Sequence, residues 1–110
     1  MAKFVKEDVI VIPFPFSDLS GSKKRPALVL ADLPGNDIIL CQITSQNSAD
    51  LYAIHLTSAD FEAGSLPVSS YIRPTRMFTA DKSIILRKIG SVNSVIRSKV
   101  SKVLISIFSD

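Results

Sequence analysis

Short apolar runs rich in β-branched residues, separated by turn-forming residues, occupy most of the chain. Such runs favour strands over helices. They predict strands at residues 8–16, 25–31, 37–45, 52–56 and 70–79, and a short last strand at 89–92. Pro13 and Pro15 lack the N–H group that a central strand needs, so the first strand should end at an edge or a bend.

The hydrophobic pattern changes to a helical period near the end of the chain. Asn93 or Ser94 is a suitable helix cap, and an apolar stripe with helical spacing follows, formed by Ile96, Val100, Val103, Leu104, Ile107 and Phe108. Asp81 is a second candidate cap, for a helical turn after the strand at 70–79. The pattern therefore predicts a mainly β protein, a small, strongly bent β barrel with a C-terminal amphipathic helix.

Composition limits the function classes without naming one. With 110 residues, 46% of them apolar, the chain suits one folded domain over residues 1–110. It has no apolar run long enough to span a membrane and carries charges where a signal peptide needs apolar residues, so we expect a cytoplasmic protein. Cys41 is the only cysteine, which excludes an internal disulfide and a cysteine-rich zinc site.

A basic loop stands directly before the second strand. The net charge of +3 is mild, but Lys23, Lys24 and Arg25 gather three cations at the strand mouth, after a turn-forming Ser-Gly-Ser segment. Pro26 biases Arg25 towards an extended backbone, which aims its planar guanidinium. The loop indicates an anionic partner, although solvated basic turns are common.

Two further segments carry polar groups suited to a phosphate. Thr44 and Ser45 place hydroxyls at the end of the third strand, and Arg73 and Arg76 are interleaved with Pro74 on the fifth. Taken singly, each segment also fits an ordinary structural role. Strand-end hydroxyls serve turns, and charges on an exposed strand oppose edge-to-edge aggregation.

Together, in this order and spacing, these segments resemble the MazF/PemK family of bacterial toxins from type II toxin–antitoxin operons. The matching stretches are residues 8–18, 21–30, 43–46 and 72–90, and the Lys-Arg-Pro-Ala-Leu-Val run is specific. The resemblance implies an SH3-like barrel, a homodimer, and metal-independent, sequence-specific cleavage of single-stranded RNA, including mRNA. It also implies a cognate antitoxin, with DNA bound only through the antitoxin complex, and no cofactor or metal.

The resemblance also implies roles for individual residues. Arg25 matches the leading catalytic residue, Thr44 with Ser45 would hydrogen-bond the scissile phosphate, and Arg73 matches an arginine that is catalytic in plasmid-borne relatives. The expected RNA-binding residues are Phe16, Ser20, Lys23, Lys24, Gln46, Thr75 and Arg76. Those relatives carry an acid at the position of Thr75, so the sequence leaves the general base unassigned.

Several alternatives remain open at this stage. His55 is a candidate general base, because the unperturbed pKa of a histidine lies near neutrality. Asp18 and Glu62 are weaker candidates. The same barrel in related toxins binds DNA gyrase without catalysis, but those relatives lack the Arg-Pro basic loop and the Thr44 segment. A third possibility is an inactive relative that only binds RNA.

The predicted fold also leads to expectations about the oligomeric state and about inhibition by the antitoxin. The helix stripe is wide enough to pack on the barrel and still contact a partner, so we expect a two-fold homodimer through residues 72–78 and the helix. An acidic, partly disordered antitoxin tail should lie across Lys23, Lys24, Arg25 and Arg73 and compete with RNA.

Overall fold

The computed structural model describes residues 4–14, 23–46 and 49–109. These residues form seven strands, two short 3-10 turns and one helix. The strands are β1 (Asp8–Phe14), β2 (Lys23–Asp32), β3 (Asp37–Thr44), β4 (Ile54–Leu56), β5 (Phe61–Gly64), β6 (Ser70–Asp81) and β7 (Arg87–Val92). The 3-10 turns cover Ser58–Asp60 and Lys82–Ile84, and the helix α1 covers Ser94–Phe108.

All seven strands join one antiparallel sheet in the order β4-β6-β3-β2-β1-β7-β5. The sheet curls into a half-barrel with α1 packed against it, so the predicted mainly β fold with a C-terminal helix is confirmed. The prediction that the first strand ends at an edge or a bend agrees, for the edge, with the pairing of Pro13. β7 pairs with β1 only as far as Val11, and Pro13 has β2 alone as a neighbour. Pro15 lies outside the described residues.

Two apolar cores lie on opposite faces of the sheet. One contains the helix residues Ile96 and Val100, with Leu28, Cys41, Ile43 and Ile72 among the strand residues that they cover. The other lies on the face away from α1, formed by Ile10, Ile12, Ala27, Val29, Ile38 and Leu40. The side chains alternate between the two cores along each central strand, which explains why these strands read as continuous apolar runs. On β3, Ile38 and Leu40 are buried in the second core, whereas Ile39 between them is only half-buried.

The caps were predicted correctly, but the helix stripe is shorter than expected. The side chain of Asn93 accepts a hydrogen bond from the Ile96 backbone N–H at 3.0 Å, and Asp81 accepts one from the Ser83 N–H at 2.9 Å. Along α1, burial fades towards the C-terminus, and the last stripe residue, Phe108, is 74% exposed. No helix within the described residues is long and apolar enough to cross a membrane.

The observed strands differ most from the sequence prediction in three places. β2 begins at Lys23 rather than residue 25, so the cations belong to the ladder with β1. The segment before β4 forms a turn, because Asp50 accepts a hydrogen bond from the Tyr52 backbone N–H at 2.9 Å, and β4 starts only at Ile54. β5 was missed because its side chains are mostly exposed. At its end, Gly64 has φ +69°, and a Cβ there would collide with the Ile89 carbonyl oxygen.

Candidate functional site

The strand register places Thr44 and Arg73 on one face of the sheet. Thr44 of β3 lies opposite Tyr71 of β6, and Gln42 lies opposite Arg73. Directly opposed residues of antiparallel strands carry their side chains on the same face, and alternate residues of one strand share a face. Thr44, Gln42, Tyr71 and Arg73 therefore form two adjacent rows on this side of β3 and β6.

Arg25 belongs to the same face. Ala27 of β2 lies opposite Gln42, and Arg25 stands two residues before Ala27 on the same strand. The intervening Pro26 and the neighbouring Leu28 alternate to the other side, where Leu28 packs under α1. We call the side that carries Arg25, Thr44 and Arg73 the site face; α1 covers the opposite side. Residues nearly fifty positions apart in the chain are thus brought together by three neighbouring strands.

Arg25 is the least exposed of the three predicted cations in the basic segment. Its side chain is half-buried, and the Nε atom is buried, whereas Lys23 and Lys24 are exposed. Alternation along β2 places Lys23 with Arg25 on the site face and Lys24 on the other side. The structure therefore separates two lysines that the sequence treated alike.

The hydroxyl of Thr44 sits at the end of β3, where the chain leaves the sheet. Thr44 is half-buried, and its Oγ1 accepts a hydrogen bond from the Gln46 backbone N–H at 3.2 Å. That bond uses a lone pair of the oxygen and leaves the O–H proton able to donate. Ser45 and Gln46 are exposed. Phe16 and Ser20, predicted to bind RNA, and Asp18 lie outside the described residues.

A wide bulge in β6 displaces the segment between the two arginines. Cys41 pairs with Met77, but the next residue, Gln42, pairs with Arg73, so β6 accommodates three residues that have no counterpart in β3. Bulges redirect side chains and often lie next to active sites. Pro74 is buried, while Thr75 and Arg76 are exposed. Thr75 and Arg76 line a groove of about 740 Å³, together with Ile12, Gln42 and Phe78 of the site face.

Asp50 was not singled out in the sequence, but the structure shows that its carboxylate joins Arg73 and Thr75. Its Oδ2 accepts hydrogen bonds from Arg73 Nε at 3.0 Å and from Thr75 Oγ1 at 3.1 Å. The side chain is 8% exposed and forms an ion pair with Arg73, which is 21% exposed. The hydrogen bond from the Tyr52 backbone N–H lowers the pKa of Asp50 most. Desolvation raises this pKa, whereas the hydrogen bonds from Arg73 and Thr75 and the charge of Arg73 lower it further. Asp50 is therefore a carboxylate at neutral pH.

His55 lies on the site face but does not join the arginine cluster. It stands opposite Tyr71 and stacks on it, with ring centroids 5.0 Å apart and an interplanar angle of 28°. Its Nε2 lies 2.6 Å from Ser69 Oγ, and the side chain is exposed. Glu62 is on β5, at the other edge of the sheet.

Cys41 is not a candidate nucleophile, because burial raises the pKa of its thiol to about 12. Over residues 4–14, 23–46 and 49–109, no three His, Cys, Asp or Glu side chains lie close enough together to hold a metal ion.

The family profile of PemK-like, MazF-like toxins of type II toxin–antitoxin systems matches residues 6–108. The chain belongs to this family. The match includes β1 to β7 and all of α1. No curated protein has a matching sequence.

Solved structures from mycobacteria and from Deinococcus are among those with the fold of this MazF-like toxin. A MazE–MazF structure from Deinococcus radiodurans has a TM-score of 0.73 and 18% identity, covering 94% of each chain. A mycobacterial endoribonuclease in complex with its cognate antitoxin has a TM-score of 0.71 and 16% identity, covering 94% of this chain and 93% of that one. The Mycobacterium tuberculosis toxin MazF-mt6 has a TM-score of 0.70 and 15% identity, covering 92% and 95%. At these identities the likeness is one of fold.

Proposed function

We propose that this MazF-like toxin is an endoribonuclease that cleaves single-stranded RNA at short sequences without a metal ion. The observation that carries the proposal is the convergence of Arg25, Thr44 and Arg73 on the site face. Two guanidiniums and a hydroxyl provide positive charge and hydrogen-bond donors for one phosphate. The endoribonucleases among the structures with the same fold add support.

The proposed reaction uses the RNA's own 2′-hydroxyl as nucleophile. Its oxygen forms a bond to the adjacent phosphorus while its proton leaves, and the bond from phosphorus to the 5′-oxygen breaks as that oxygen gains a proton. The products are a 2′,3′-cyclic phosphate and a 5′-hydroxyl end. The protein's part is to accept and donate those protons and to stabilise the charge that develops on the phosphorane oxygens.

The roles of the site residues follow from their chemistry. Arg25 and Arg73 would bind the phosphate and stabilise the phosphorane, since a guanidinium stays protonated at neutral pH and does not act as a free base. Thr44 and Ser45 would donate hydrogen bonds to its oxygens. Lys23, Gln46, Thr75 and Arg76 would contact the flanking RNA, and the exposed ring of His55 would offer a base a stacking surface.

An RNA-cleavage assay in EDTA tests this function directly. We expect the purified chain to cut single-stranded RNA at a recurrent short sequence while the chelator is present. Intact RNA after incubation with folded protein, with growth arrest retained in cells, would favour a non-catalytic toxin such as the gyrase-binding type. RNA that is bound but never cut would favour an inactive relative.

Thr44→Val should slow cleavage while leaving the shape of the strand end. The substitution removes one donor to the phosphorane, for which we expect a loss in rate of roughly 10²–10³-fold. The lost bond to the Gln46 N–H should lower stability only slightly, by about 1 kcal/mol. Single-turnover rates and a thermal melt check both points, and a rate within threefold of the original would remove Thr44 from the reaction.

We further propose that the toxin is a two-fold homodimer whose cognate antitoxin covers the site face. The exposed apolar side chains Ile105 and Phe108 near the end of α1 fit a partner contact. Light scattering at micromolar concentration should give twice the chain mass, and a monomer would contradict the dimer.

An antitoxin tail should displace uncleavable RNA in a titration, and a ternary complex would contradict a shared surface.

A further inference from the structure

The polar cluster of the β6 bulge depends on one residue from a different part of the fold. Arg73 and Thr75 flank Pro74 on β6, and both donate to the same carboxylate oxygen of Asp50, at 3.0 and 3.1 Å. Asp50 itself belongs to the connection between β3 and β4. Its other oxygen, Oδ1, is held by the Tyr52 backbone N–H at 2.9 Å. The carboxylate is thus fixed at both oxygens, and it fixes two side chains of the bulge.

We propose that Asp50 is the positioning residue for Arg73, holding its guanidinium in the orientation that binds the scissile phosphate. This inference rests on the proposed function and adds to it a residue that the sequence pattern did not identify. The contact with Asp50 engages only Nε of Arg73. Both terminal amino groups of the guanidinium remain to form the paired hydrogen bonds with which arginine binds phosphate oxygens.

A positioning role suits Asp50 better than proton transfer. The hydrogen bonds and the Arg73 charge that hold this carboxylate also lower its pKa, so it is a weak base that stays ionised. A long arginine side chain loses considerable rotamer freedom when it is fixed. The Asp50 carboxylate would fix the Arg73 side chain before RNA binds and so lower this entropy cost in the complex. Correct placement also matters for the rate, because misplacement of a catalytic group by about 1 Å can cost on the order of 10²-fold.

Asp50 is far from position 75 in the sequence, but its carboxylate lies beside position 75 in the structure. The proposed role therefore does not require an acid at position 75 itself. Thr75 Oγ1 lies 3.1 Å from Asp50 Oδ2, so a side chain at position 75 reaches the place where the Asp50 carboxylate lies. The relatives with an acid two residues after the arginine would supply this group from β6 itself. In this chain it comes from the neighbouring connection.

This geometry leads to an exchange experiment with four proteins: the original chain, Asp50→Ala, the double variant Asp50→Ala with Thr75→Asp, and the control Glu62→Gln. Glu62 is an exposed acid on β5, at the far edge of the sheet, so its variant loses one negative charge away from the site face. Measurements are kcat, the Kd for an RNA analogue with a 2′-deoxy cleavage site, and the melting temperature.

Asp50→Ala should lower kcat by roughly 10–100-fold. The Kd should change much less, because the loss of a negative charge beside a polyanion site opposes the entropy cost of fixing a freed Arg73. The double variant should recover most of the kcat, and Glu62→Gln should match the original chain. Unchanged kcat in folded Asp50→Ala, or a fall in kcat that the relocated carboxylate does not restore, would overturn the inference.

A second measurement separates this inference from the proposed function. The Nε–H of Arg73, identified by loss of its NMR signal in Arg73→Lys, should exchange slowly with solvent in the original chain. The protection should be lost in Asp50→Ala and recovered in the double variant. If the original chain cuts no RNA, the proposed function fails. The positioning of Arg73 by Asp50 is still decided by this signal, and equal exchange in all three proteins would refute it.

Discussion

Arg25→Ala is expected to abolish RNA cleavage and growth arrest in a chain that still folds. Arg25 has a half-buried side chain on the site face, and its removal takes away the charge closest in register to Thr44. Removing one preorganised donor already costs about 10²–10³-fold in other enzymes, and here charge is lost together with donors. The backbone pairing of Arg25 with Ile12 does not depend on the side chain, so the ladder should persist.

Arg25→Lys should remain badly impaired, because an ammonium group cannot reproduce the planar pair of donors that a guanidinium presents to two phosphate oxygens. Arg87→Ala is the matched control, since Arg87 is an exposed arginine on β7, two strands from β2. It should leave the rate nearly unchanged. Cleavage rates and thermal melts of the three variants test the assignment, and near-original cleavage by folded Arg25→Ala would remove Arg25 from the mechanism.

Replacing a single 2′-hydroxyl at the mapped cleavage site with hydrogen is expected to stop cleavage there completely. The proposed nucleophile is that hydroxyl, and the Cys41 thiol does not substitute for it, because burial raises its pKa to about 12. The modified RNA should still bind, because the contacts proposed for the arginines are with phosphates rather than with the sugar hydroxyl. Binding with no cleavage supports the internal nucleophile, whereas a cut 2′-deoxy substrate would show that the nucleophile is another group.

The sequence predicted the fold well where one local signal determined the outcome. The β-branched runs identified the central strands, and Asn93 and Asp81 were recognised as caps because capping depends on residues three positions apart or fewer. β5 escaped because an exposed edge strand has no apolar alternation. Phe108 was placed in the packed stripe because periodicity gives a helix face but not where the sheet beneath it ends.

The candidate site was predictable only in part, because residue types can be recognised in the sequence but contacts between distant residues cannot. Arg25, Thr44 and Arg73 were chosen from the family resemblance and from their residue types, and the register then placed them on one face. Asp50 could not be found this way, since its partners Arg73 and Thr75 lie 23 and 25 residues away. Its local signal, an acid four residues before β4, is equally typical of a turn. The separation of Lys23 from Lys24 likewise required the alternation of an observed strand.

The central claim is that this toxin cuts RNA through attack by the RNA's own 2′-hydroxyl, without a metal ion. Mass spectrometry of the fragments produced by the purified chain in EDTA tests it most directly. The account predicts that every upstream fragment ends in a 2′,3′-cyclic phosphate, or in the monophosphate formed by its hydrolysis, and that every downstream fragment begins with a 5′-hydroxyl. Downstream fragments that begin with a 5′-phosphate, or cleavage that disappears with the chelator and returns with a divalent cation, would contradict it.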